Sequence, residues 1–337
     1  MSPLPRRSVV SWTAIRVVRI ALAVFTAAVF TAAVFTCAAF ALAGSSGVVP
    51  TAHGAAPLRM FAMGNSYISG QGADNYQTIP ADMTSYHAGT TGPQNYCFRS
   101  RHAAVEVVAK RLGARFTNVT CANSQPRHID QDAQFDEGRQ IEHLPRDADV
   151  VVMQVIGNPE FIKVIECVQL RECDRRTIDR SLRVLDNDQR LHERRIIGEV
   201  RSRAPGAHVY VLGAPQVVPR VGQDQRRRCG WFMSDPEVGM LNDFIGKVNE
   251  ISRDNARRAG ETFVDLARPG SPWNQRHDLC SADPWEWGPR VAAPQYGPDN
   301  VKFRNWILGG YHPTQAGQRA TAVVLEQVIR EREALRG

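Results

Sequence analysis

Between Asp149 and Ile156 the chain runs Asp-Val-Val-Val-Met-Gln-Val-Ile, an almost unbroken row of β-branched and apolar side chains. A strand with one face in water would show polar residues at every second place. This one does not, so both of its faces are buried. Such a strand needs helices above and below it, which in turn calls for parallel neighbours joined by helical crossovers. The rest of the body supplies them. Leu58–Met63, Phe116–Val119, His208–Leu212 and Thr262–Leu266 read as strands. Arg101–Leu112, Asp188–Arg203, Pro236–Ala259 and Thr314–Leu335 read as helices, the last opened by Pro313. The pattern predicts one α/β domain over residues 58–337: a three-layer α/β/α sandwich with a central parallel sheet. It shows no internal repeat and no second boundary.

A chain of 337 residues with 43% hydrophobic and 22% charged residues is neither disordered, nor a collagen, nor a coiled-coil rod. Its formal net charge of +7 includes Arg6, Arg7, Arg16 and Arg19, which stand in an acid-free leader. Without those four the body carries +3, too little to argue for a nucleic-acid partner. Ile20–Ala43 is uncharged, and an A-V-F-T unit recurs in it at Ala23–Thr26, Ala28–Thr31 and Ala33–Thr36. The small-x-small triplet Ala41-Leu42-Ala43 and a Gly/Ser/Pro-rich stretch to Pro57 follow. Residues 1–57 therefore read as an export signal, or as a membrane anchor through residues 20–43, plus a short linker. Either way the body lies outside the cytoplasm, secreted or held at the outer face of the membrane.

That compartment gives meaning to the cysteines. Cys37 lies in the leader. Cys97, Cys121, Cys167, Cys173, Cys229 and Cys280 remain, an even number that suggests disulfides. Six cysteines allow fifteen pairings, of which the sequential one is the simplest. No C-x-x-C or His-rich spacing argues for a metal instead.

Two long segments interrupt the strand–helix rhythm, Asn75–Asn95 and Arg268–Arg304. Loops at the C-terminal ends of parallel strands are where α/β proteins bind their ligands. The first strand leads into Met63-Gly64-Asn65-Ser66-Tyr67-Ile68-Ser69-Gly70-Gln71-Gly72-Ala73. Ser66 is placed there as a nucleophile or, more simply, as a helix cap. Asn158 follows the central strand, where its amide can face a developing oxyanion or merely form a turn with Pro159. Cys121-Ala122-Asn123-Ser124 follows another strand and can offer a backbone N–H. His312, in Tyr311-His312-Pro313, stands just before the last helix.

In that order these segments resemble the SGNH hydrolases, also called GDSL esterases/lipases, and in particular their secreted actinobacterial branch. The stretch from Gly64 to Ala73 is close to that family's G-D-S-Y-x-S-G-x-G-A. Cys97-Phe98-Arg99-Ser100 is similar to its C-x-R-S segment, and Cys280–Trp285 to its Cys/Pro-Trp loop. The resemblance covers about residues 58–335. It implies an SGNH-type sandwich and the pairs Cys97–Cys121, Cys167–Cys173 and Cys229–Cys280. It implies Ser66 as nucleophile, His312 as general base, and an oxyanion hole of the Asn158 side chain with the N–H groups of Ser66 and Asn123. The implied activity is hydrolysis of carboxylic esters by a monomer acting on a small-molecule or lipid ester, with no metal or organic cofactor.

The chain departs from the family at four places. Asn65 replaces the Asp of G-D-S. Asn123 stands where Gly is usual, and Asn is the side chain that best tolerates left-handed backbone. Pro159 and Glu160 follow the key Asn. Gly309 stands three before His312, where a carboxylate would orient the imidazole. A backbone carbonyl of Gly309, or a carboxylate such as Asp283 or Asp299 from the long loop, is then expected to take its place. Two other readings remain: a weakened SGNH-like protein that binds cell-wall glycan or lipid, and an acyltransferase using the same acyl-enzyme. Trp231, Trp273, Trp285, Trp287 and Trp306 either wall a substrate pocket or form the loop's own small core.

Overall fold

The computed structural model describes residues 56–78, 95–169, 173–220, 233–274, 277–288 and 310–334. The leader with residues 20–43 and Cys37, and Cys229, Trp231, Asp299, Trp306 and Gly309, lie outside the described residues. The apolar run around Val151 forms β3 (Val150–Gln154), and it takes the middle of the sheet as its two buried faces require. The others are β1 (Arg59–Gly64), β2 (Arg115–Asn118), β4 (His208–Leu212) and β5 (Thr262–Val264). All pair in parallel, in the order β2-β1-β3-β4-β5. Chain order reverses between β1 and β3, and at such a point the strand ends open a crevice.

Alternate side chains divide between the two faces. Met60, Ala62, Val150, Val152, Tyr210 and Leu212 join one core with α2 (Ala104–Leu112) and α8 (Gln315–Ala334). Phe61, Met63, Val151, Met153, Val209 and Val211 join another with α3 (Pro126–Asp130) and α6 (Arg190–Arg203). The short helix α1 (Ser66–Ser69) follows β1 directly. The long helix α7 (Asp235–Ala259) starts at a capping box in which the Ser234 N–H donates to Glu237 Oε2 at 2.6 Å, and it ends at left-handed Gly260.

The structure adds to the sequence reading between β3 and β4. Two further helices stand there, α4 (Glu160–Gln169) and α5 (Arg175–Val184). The helix expected from Asp188 instead continues from α5 through one wide turn, Leu185–Gln189, into α6. Among the described residues, no helix is long and apolar enough to cross a membrane. Two sequential disulfides are present, Cys97–Cys121 and Cys167–Cys173. Cys280 is also disulfide-bonded.

Helix α6 buries a carboxyl completely. Glu193 accepts hydrogen bonds from Ser252 Oγ at 2.8 Å and Asn255 Nδ2 at 2.9 Å, yet burial pushes it up to about 7. Its folded value lies above its unfolded one, so its stabilising contribution is complete below about pH 4.5 and is lost as pH rises through about 7. Glu193→Gln removes the charge, with its Oε1 accepting from Asn255 Nδ2 and its Nε2 donating to Ser252 Oγ in place of the present bond. It is expected to melt like wild type near pH 4.5 and to gain on the order of 2–3 kcal/mol near pH 8. Melting curves at the two pH values check this; an equal effect at both would refute it.

Candidate active site

Register brings the site together. Gly64, the last residue of β1, pairs with Gln154, the last of β3. The turns that follow therefore emerge side by side. Asn65, not Ser66, is the helix cap: its side chain accepts from the Tyr67 N–H at 3.2 Å. Ser66 is thereby free of the capping role and stands at the first turn of α1, 5% exposed. An Asx oxygen is all that such a cap requires.

Asn123 adopts left-handed backbone at φ 60, the conformation that its side chain was expected to tolerate. Its loop is pegged to the β1 turn twice. The Cys121 N–H donates to the Gly64 carbonyl at 3.0 Å, and buried Gln140 spans the gap. Gln140 Oε1 accepts from the Gly64 N–H at 2.6 Å, and its Nε2 donates to Gly64 O and Ser124 Oγ, both at 3.0 Å. Asn158 follows β3, and its Nδ2 donates to the Ser124 carbonyl at 3.2 Å. One of its two amide protons is so engaged and aims the other.

His312 arrives from the far end of the chain. Its Nδ1 lies 2.9 Å from the Gly310 carbonyl. An acceptor at that distance favours the tautomer that carries its proton on Nδ1. The imidazole faces the main-chain carbonyl of Gly310, two residues back. Asp283 is not its partner: its backbone oxygen and carboxylate face His277, at 2.9 and 3.4 Å from Nδ1. The His312 segment is held by a strap, Trp285–Trp287. The Trp287 N–H donates to His312 O at 3.0 Å, the Tyr311 N–H to Trp287 O at 2.9 Å, and the Thr314 N–H to Trp285 O at 2.7 Å. The Tyr67 hydroxyl adds a bond of 2.6 Å to the Tyr311 carbonyl.

Ser66, Asn123, Asn158 and His312 all line one cavity of about 410 Å³. Its apolar wall is Phe161, Ile162 and Ile165, one stripe of α4. A groove of about 530 Å³ beside Arg175, Arg220, Met240 and Asp243 contains none of the four. The described tryptophans do not line the cavity. Trp273 is buried, stacks edge-on against Trp285 at 5.6 Å, and donates to Thr321 Oγ1 at 3.0 Å. Trp287 Nε1 donates to the Gly72 carbonyl at 2.7 Å. They build the loop and the strap rather than the pocket. Among the described residues, no group of three or more His, Cys, Asp or Glu side chains is gathered as for a metal ion.

Residues 62–320 match the model of the GDSL-like lipase/acylhydrolase family. Lipase 2 of Streptomyces coelicolor is 28% identical over 260 residues, covering 70% of this chain and 79% of that protein. A lipase of Streptomyces rimosus is 23% identical over 262 residues, 76% of this chain and 81% of its own. Among solved structures, the extracellular lipase of S. rimosus superposes with a TM-score of 0.62 at 22% identity, over 80% of this chain and 99% of that one. Phospholipase A1 of Streptomyces albidoflavus does so with 0.62 at 21%, over 81% and 99%. At those identities the superpositions establish the α/β fold.

Proposed function

The chain belongs to the GDSL-like lipase/acylhydrolase family, the SGNH-type carboxylic ester hydrolases, and from that premise we propose that it is an exported serine esterase acting through a Ser66–His312 dyad. The observation that supports this most is the convergence of Ser66, Asn123, Asn158 and His312, from four separate segments of the chain, on one cavity. His312 Nε2 takes the Ser66 proton as Oγ attacks the ester carbonyl. The second Asn158 amide proton and the N–H groups of Ser66 and Asn123 receive the oxyanion. The imidazolium, held by the Gly310 carbonyl, then returns the proton to the leaving alkoxide. Water, activated by the same nitrogen, releases the acid.

The wall of Phe161, Ile162 and Ile165 suits an aliphatic acyl chain, and Ile162 is 38% exposed until something covers it. All four groups come from one chain, so a monomer suffices. The leader is proposed to export the body, leaving it secreted or anchored through residues 20–43, and the disulfides fit that compartment.

A fluorophosphonate probe is expected to label the oxidised protein at Ser66, with no label in Ser66→Ala. Octanoyl esters are expected to exceed acetyl esters in kcat/KM by about tenfold or more, and Ile162→Ala to narrow that ratio. Folded protein that takes no label would refute the esterase reading in favour of a binding protein on a hydrolase scaffold.

A further inference from the structure

The donor assigned to Asn123 is a peptide N–H, so its aim depends on one peptide plane. The Ser124 N–H donates to the Cys121 carbonyl at 3.1 Å and closes a four-residue turn with Ala122 and Asn123 in its middle. Asn123 has φ 60, while Ala122 does not have positive φ. That is the pattern of a type II turn. Types I and II share the closing bond and differ in which way the middle peptide faces. Here that peptide is Ala122–Asn123. It is trans, so its carbonyl and its N–H point in opposite directions. Rotating the plane into the type I form would set a carbonyl oxygen where the N–H now stands. Type II turns call for Gly at the third position, and this chain has Asn there.

A buried glutamine is bonded to that plane. Gln134, 8% exposed, donates from Nε2 to the Ala122 carbonyl at 2.8 Å. Its Oε1 is buried and has no hydrogen-bond partner among the described residues, so the amide is placed for its donor. The segment that carries Gln134 is pinned. The Gln134 N–H donates to the Gly138 carbonyl at 3.4 Å. Glu137, three residues on, is gripped by Arg99, whose Nη1 donates to Glu137 Oε2 at 2.7 Å and to the Thr120 carbonyl at 3.0 Å. Phe135, directly after Gln134, is held in left-handed backbone at φ 53, a strained state for an aromatic residue that its surroundings must maintain. Gln134 is not among the residues that line the cavity, so any effect on the reaction passes through the peptide that it holds.

We propose that Gln134 is a positioning residue for the oxyanion hole: its bond to the Ala122 carbonyl locks the Ala122–Asn123 peptide with the Asn123 N–H turned toward the site. The inference rests on the esterase reading above, in which that N–H receives the oxyanion. The Cys97–Cys121 disulfide and Gln140, through Ser124 Oγ, hold the two ends of the turn, and Gln134 holds its middle. The bond has a second effect. A carbonyl that accepts a hydrogen bond polarises its own peptide, which makes the N–H at the other end a stronger donor.

The test compares wild type, Gln134→Met and Gln134→His in kcat and KM on a chromogenic octanoyl ester and in inhibition by octylboronic acid, with fluorophosphonate labelling and melting curves alongside. The boronate adds to the serine as a tetrahedral adduct and presents an oxygen where the oxyanion forms, which the ground-state ester does not. Methionine matches the length of glutamine without a donor. Histidine carries an Nε2 the same number of bonds from the backbone and restores one. Gln134→Met is expected to lose about tenfold or more in kcat with KM within about threefold, and to bind the boronate about tenfold or more weakly. Its melting temperature is expected to stay within about 3 °C of wild type. Gln134→His is expected to return kcat to within about threefold of wild type. A labelled Ser66 with a folded Gln134→Met protein whose kcat lies within about twofold of wild type would overturn this proposal alone. So would equal losses in both variants that follow their melting temperatures, the mark of a merely structural role. An unlabelled Ser66 in the folded wild type would overturn the esterase reading and this proposal with it.

Discussion

Ser66→Ala is expected to lower kcat for ester hydrolysis by about 10⁴-fold or more while the protein melts as wild type does. Ser66 Oγ is the only atom that the proposed mechanism makes covalent with the acyl group, and its side chain caps no helix: Asn65 does that. His312→Ala is expected to cost a similar factor. The double variant should be hardly worse than either single one, because a base without its nucleophile has nothing to activate. Asn158→Ala removes one donor and leaves the dyad, so a smaller loss of about 10²–10³-fold is expected. Steady-state rates on one activated ester rank all four variants. A Ser66→Ala protein within about tenfold of wild type would refute the assignment.

Gly64→Ala is expected to have the largest effect on folding. Gly64 sits at φ +135, a conformation that L side chains rarely adopt. A Cβ there would stand 2.4 Å from the Gln154 carbonyl oxygen, 3.0 Å from the Gln154 nitrogen and 3.0 Å from Ile68 Cγ2. The first two are backbone of the paired central strand and cannot swing away. The β1–β3 ladder must part at its end, which also moves Ser66 away from Asn158. A loss of about 4 kcal/mol or more is expected, a drop of about 8–16 °C in melting temperature for a body of this size. Melting within about 2 °C of wild type would show that the turn relaxes more freely than the ladder suggests.

Elements whose side chains repeat at a clear period were legible in the chain, and so was the order of the site loops. The run around Val151 announced a doubly buried strand and therefore a parallel sheet. The motif around Ser66 and the segment around His312 gained meaning from their order and their likeness to a known family. Helix α4 was missed because Asn158-Pro159 reads as the start of a turn, although Phe161, Ile162 and Ile165 already carried a helical stripe. Gln140 had no signal at all, being a lone polar residue whose role exists only once β1 and the Asn123 loop lie side by side. Gln134 was hidden for the same reason, since nothing in Asp132-Ala133-Gln134 says that the amide turns inward. Gly309, the expected orienting carbonyl, lies outside the described residues, and the acceptor seen at the His312 Nδ1 is the carbonyl of its neighbour Gly310, a main-chain group that leaves no side chain to count from.

That main-chain contact would make the proposed dyad resistant to mutation in an unusual way. Every one of the twenty amino acids brings a carbonyl, so no codon change at position 310 can delete the acceptor of the His312 Nδ1 proton. Nor can acid protonate it, as acid would a carboxylate. The orienting contact is lost only by displacing the backbone. Damaging changes should therefore collect at residues that brace this segment and be silent in any search for a missing acid.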